Sequence, residues 1–80
     1  MICEKELWHK VPDIPKPKSS IILVHHYYGR TAVCDAYVHD DGRHFSHHSF
    51  SREDWFQWEW KIEKWCYVDD LVKVKHISFE

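Results

Sequence analysis

The stretch Ile21-Ile22-Leu23-Val24-His25-His26-Tyr27-Tyr28-Gly29-Arg30-Thr31-Ala32-Val33-Cys34-Asp35-Ala36-Tyr37-Val38-His39-Asp40-Asp41-Gly42-Arg43-His44-Phe45-Ser46-His47-His48-Ser49-Phe50 decides the fold. Its first eight residues are mostly β-branched or aromatic, apolar on both alternating faces, and too short for a typical helix before Gly29 interrupts them. That pattern predicts a central strand. Gly29-Arg30 suits a two-residue turn, Thr31 to His39 returns as a second strand, and Asp41-Gly42 predicts a second hairpin leading into a third strand from His44 to Phe50.

Counting partners outward from those turns sorts the side chains, because neighbouring residues of a strand point to opposite faces. One face receives Ile21, Leu23, His25, Tyr27, Ala32, Cys34, Ala36, Val38, Phe45 and His47. The small residues at 32, 34 and 36 leave room for bulky groups above them, so this is the expected core face. The other face receives Ile22, Val24, His26, Tyr28, Val33, Asp35, Tyr37, His39, His44 and His48.

The bulky groups should come from Trp55-Phe56-Gln57-Trp58-Glu59-Trp60-Lys61-Ile62-Glu63-Lys64-Trp65-Cys66-Tyr67. Trp55, Trp58, Ile62 and Trp65 fit helical spacing, whereas Trp58, Trp60 and Ile62 alternate strictly with charged residues. Aromatic and β-branched density favours a strand over residues 58–67, after a helical turn at 51–57. A bulge near Glu63-Lys64 is then needed to keep Trp65 and Tyr67 on the side of Trp60 and Ile62. Residues 11–20 hold all three prolines, each fixing φ and removing a donor, and read as an extended loop. Trp8 before it reads as an apolar anchor, and residues 72–80 as an edge strand or a tail. The expected class is a β-rich α+β domain, a three- to four-stranded antiparallel meander with one short helical turn.

Eighty residues support one hydrophobic core, so the chain is read as a single domain over residues 1–80. A net charge of −2 offers no electrostatic footprint for duplex nucleic acid, and no apolar run approaches the ~18 residues of a membrane span. Eight histidines make the charge labile, swinging toward about +6 if all protonate near the ordinary pKa of ~6.5. Cys3, Cys34 and Cys66 are odd in number and form no C-x-x-C, which suggests reduced thiols. The start at Met1 to Leu7 lacks a basic region followed by an apolar stretch, so a cytoplasmic protein is expected.

The order Leu7-Trp8, prolines 12 to 17, Ile22-Leu23-Val24, Ala36-Tyr37, Phe45 and Ile62-Glu63-Lys64-Trp65-Cys66-Tyr67-Val68-Asp69-Asp70-Leu71 resembles a family of small uncharacterised proteins of phages, prophages and bacterial mobile elements. The resemblance covers residues 7–71. Lys64 stands where that family has His or Arg before the Trp, and Cys66-Tyr67 where it commonly has Met-Pro. It implies a small β-rich domain in a bacterial cytoplasm and carries over no catalytic residue.

Three constellations bear on function. His39 falls opposite His44 across the second hairpin, and with Asp41 and His48 these are the candidate ligands of a metal-dependent activity, although no convincing third and fourth ligand completes a shell. Trp55, Trp58 and Trp60 are candidates for a platform binding carbohydrate or single-stranded nucleic acid, with acidic rather than basic residues interleaved. Ile22, Val24, Val33 and Tyr37 leave the second face apolar, which marks a surface for a protein partner or for self-association unless the chain's own ends cover it. Asp35 opposite His48 reads as an ion pair, and Cys34 as a core thiol rather than a nucleophile. The best-supported expectation is a non-enzymatic protein-binding or adaptor domain that uses no cofactor.

Overall fold

The computed structural model describes residues 3–47 and 52–74. Five strands form one antiparallel sheet: β1 (Ser20–Tyr27), β2 (Arg30–Val38), β3 (His44–Ser46), β4 (Glu53–Asp54) and β5 (Ile62–Tyr67), in the order β4-β3-β2-β1-β5. The β-rich α+β expectation holds, with the two-residue β4 making the sheet one strand wider. Single helical turns are added by α1 (Glu4–Leu7), α2 (Trp55–Trp58) and α3 (Val68–Leu71), and a 3-10 turn (Glu59–Lys61) joins α2 to β5. Strand β1 lies between β2 and β5, which is why it needs apolar side chains on both faces.

The second hairpin has the register expected of Asp41-Gly42, with Val38 opposite Phe45 and Tyr37 opposite Ser46. In the first, the reversal occupies Tyr28-Gly29 rather than Gly29-Arg30, since Tyr27 pairs with Arg30. Both turn residues have positive φ, 49° at Tyr28 and 77° at Gly29, the combination of a type I′ turn whose twist matches that of the strands. Partners therefore move by two residues, so that Leu23 faces Cys34. A shift of two preserves the faces, and the two-sided division of the sheet stands.

On the core face, Ile21, Leu23, Ala36, Val38, Phe45, Trp55, Ile62 and Trp65 form one buried cluster, with Cys34, Trp58, Tyr67 and Val11 packed against it. Tyr27, at the open end of the same row, stays exposed. Trp55 lies over the sheet edge-to-face with both Phe45 (5.7 Å) and Trp65 (6.2 Å). Each such fully buried side chain contributes on the order of 1.5–3 kcal/mol.

The β1–β5 ladder runs Leu23 to Trp65, Val24 to Lys64 and then His25 to Ile62, passing over Glu63. This is the bulge that the spacing of Ile62 and Trp65 demands, and it brings both inward from positions three apart. The strand itself starts at Ile62 rather than at residue 58. Asp54 accepts the Phe56 N–H (2.8 Å) and caps α2, and the 3-10 turn then directs Trp60 into solvent at 78% exposure. Trp60 is therefore not a core residue. The buried aromatic set instead follows the helical spacing of Trp55 and Trp58.

The proline segment is a loop without helix or strand up to Ser20, with turns at Val11-Pro12 and Pro17-Lys18, and it packs Val11 against the core. Trp65 Nε1 donates to the Asp13 carbonyl (3.1 Å), and the Lys16 N–H donates to Tyr67 Oη (3.0 Å). After β5 the chain enters α3 and a turn, so residues 72–74 make no edge strand. The remainder of the expected 72–80 tail, and residues 48–50 of the expected third strand, lie outside the described residues.

Candidate functional site: the outer half of the second face

The second face is divided. Val24 is fully buried and Ile22 partly buried, whereas Val33 and Tyr37 on β2 are 47% and 46% exposed. The N-terminal segment runs along β5, on the side of the sheet away from β2. His9 bridges to Trp65 on the outer edge of β5, exchanging backbone hydrogen bonds of 2.8 and 2.9 Å, and its ring stacks on the Trp65 indole at 4.3 Å. Lys64, which shares the face of Val24, places its ammonium 4.5 Å over the Trp8 ring. Leu7, Val24 and Cys66 are all completely buried and lie outside the main core cluster. Of the expected partner surface, Val24 is sealed and Ile22 partly buried, while Val33 and Tyr37 remain open.

The same strand presents backbone groups. The Val38 N–H donates to the Ser19 carbonyl on the β1 side, while the His39 N–H donates to the His44 carbonyl on the β3 side. Alternation along an antiparallel strand then directs the N–H and C=O of Thr31, Val33 and Asp35 away from β1. Pairing with β3 involves only Tyr37 and Val38, so among the described residues those groups have no ladder partner. Thr31, Val33 and Asp35 also expose their side chains.

The hairpin tip is a hydrogen-bonded structure centred on Asp41. Its carboxylate accepts from the backbone N–H of Arg43 (2.8 Å) and of His44 (2.9 Å), lies 2.6 Å from His44 Nδ1, and meets Arg52 at 3.4 Å. The His44 N–H, then the Arg43 N–H and the His44 ring, hold the Asp41 carboxyl far below the ordinary carboxylate range. His39 turns instead to Ser46 Oγ (2.8 Å). His39, Asp41 and His44 thus share a hairpin, but the two imidazoles have different partners. His48 lies outside the described residues, among which no three His, Cys, Asp or Glu side chains are grouped to hold a metal ion.

The tryptophans do not share an open platform. Trp55 is 2% exposed, Trp58 is half-buried with Lys61 Nζ 4.1 Å over its ring, and only Trp60 stands in solvent. Trp58 Nε1 donates to Glu53 (3.2 Å), and the ring packs beside His25 and His47 at 5.1 and 4.8 Å. These residues, with Tyr27 and Cys34, line a cleft of about 440 Å³. Burial lowers the His25 pKa, and the charges of His47, Lys61 and His26 add to that against the raising effect of the His26 backbone. Burial also raises the Cys34 and Cys66 thiols to about 11, which leaves them protonated and unreactive near neutrality. The side chain of Asp35 stays exposed, and its expected partner His48 falls outside the described residues.

No protein-family model, curated protein or solved structure matches this chain. Among the described residues no helix is long and apolar enough to cross a membrane.

Proposed function

We propose that this chain is a small non-enzymatic protein-binding domain, and that its partner docks on the outer half of the second face, at Val33 and Tyr37. The observation that carries the reading is the contrast within one row of side chains. Val24 on β1 is fully buried, while Val33, its partner on the adjacent strand, and Tyr37 stand about half exposed. Exposed apolar side chains on a sheet face suit a protein partner, which offers apolar contact. A phage- or mobile-element-derived adaptor in a bacterial cytoplasm is the setting that the family resemblance implies.

The test is a photo-crosslinking side chain placed at Tyr37 in living bacteria, with the same group at exposed Lys10 as control. The reading expects a protein adduct at position 37 and none at position 10. No adduct at position 37, or equal adducts at both, would overturn it.

A further inference from the structure

We infer that the cleft walled by Trp58, Tyr27, His25 and His47 is a site for a small quaternary ammonium ion of choline size, and that Lys61 is the internal cation this ligand displaces. This goes beyond the protein-binding reading and involves no protein partner. The observation that carries it is an occupant already in place. Lys61 Nζ stands 4.1 Å from the centroid of the Trp58 ring, the shortest cation–ring distance among the described residues, and 5.4 Å from that of Trp60. The negative face of an indole attracts an ammonium electrostatically, and more strongly where water is partly excluded. Through its own side chain the cleft shows which sign of charge it takes.

The walls serve the same end. Glu53 accepts the Trp58 Nε1–H (3.2 Å), which fixes the plane of the indole and polarises its ring toward greater negative charge. The other oxygen of the same carboxylate lies 3.7 Å from His47 Nε2, so one anion is tied to two of the walls. His25 is 7% exposed, packs its ring 5.1 Å from that of Trp58, and buries an Nδ1 that has no well-formed hydrogen bond. Burial lowers its pKa, so near neutral pH this wall is uncharged and does not oppose a cation. The cleft, at about 440 Å³, has the volume of a small-ligand site. Lys61 reaches it from the 3-10 turn on a flexible stem, and swinging that stem into solvent while a ligand enters exchanges one cation for another. A primary ammonium is strongly hydrated and gives up water to lie on a ring, whereas an alkylated ammonium gives up less. The exchange therefore favours the quaternary ion.

Titrating choline chloride while following the Trp58 indole N–H resonance tests the inference. The controls are sodium chloride at the same ionic strength and the neutral isostere of choline, in which carbon replaces the quaternary nitrogen. Choline should give a saturating shift, sodium chloride none, and the isostere binding at least about tenfold weaker. Lys61→Ala, with an unchanged far-UV spectrum, should bind choline about threefold to tenfold more tightly, because the internal competitor is gone. Glu53→Gln, which keeps an acceptor for the indole but not the charge, should weaken binding by about threefold. Absence of a choline shift in both the unmodified chain and Lys61→Ala, equal binding of the isostere, or an affinity that Lys61→Ala leaves unchanged or lowers would each overturn the inference.

Discussion

Val24 and Val33 face one another across β1 and β2, yet one is sealed from solvent and the other is half exposed. The pairing gives them the same side of the sheet, so the asymmetry comes from what lies above them. On the β1–β5 half, Leu7 is itself completely buried and Trp8 lies under the Lys64 ammonium. Leu7→Ala should therefore destabilise the domain by about 2–5 kcal/mol, as a core truncation does. Val33→Thr should change stability by no more than about 0.5 kcal/mol. Urea unfolding of both variants checks this, and equal losses would remove the asymmetry.

Trp65 and Trp60 stand on either side of the line between core and surface. Trp65→Ala should cost about 3–5 kcal/mol, whereas Trp60→Ala should be nearly silent in stability. Trp60→Phe should also remove most of the fluorescence that acrylamide quenches readily, since the other tryptophans are buried or partly buried.

Asp41 ties the second hairpin through its charged form, and its folded pKa is depressed. The unfolded carboxyl titrates near ~3.9, so the stabilisation is complete above that pH and is lost as pH falls toward the folded value. Asp41→Asn should lower the melting temperature at pH 7, and the gap from the unmodified chain should narrow as pH drops below about 4. A gap constant over that range would show that the charge of Asp41 contributes nothing.

His25 works in the opposite sense from a histidine with an anionic partner. Its folded pKa lies below the ordinary 6.5, so protonation favours the unfolded chain. The neutral ring's contribution is full above about pH 6.5 and declines as pH falls through the folded value. Among the described residues its buried Nδ1 has no well-formed hydrogen bond, so replacement leaves no partner group stranded. His25→Phe should flatten the fall in melting temperature between about pH 6.5 and 5 without lowering stability at pH 8.

Much of the sheet was legible because period-two burial and two glycine turns each left a mark. Asp41-Gly42 fixed its hairpin to the residue. Gly29 admitted two turns, and only the positive φ of Tyr28, a conformation that bulky residues seldom adopt, separates them. The bulge was legible because Ile62 and Trp65 cannot otherwise share a face. Trp60 alternates with its neighbours as a strand would, but the Asp54 cap starts a helical turn before it and the 3-10 turn carries it into solvent. The N-terminal turn was illegible for a different reason: Glu4 to Leu7 is one turn long, too short to display a period. Of the four residues expected to form the partner surface, Val24 is fully buried and Ile22 partly so.

The two-sided orientation of the β2 backbone is tested most directly by residue-resolved amide hydrogen exchange on a dilute sample. The amides of Ala32, Cys34 and Ala36 point toward β1 and should exchange slowly. Those of Thr31, Val33 and Asp35 point away from β1 and should exchange faster. Equal protection of all six amides at high dilution would contradict the account, because it would mean that the chain closes both sides of β2 alike.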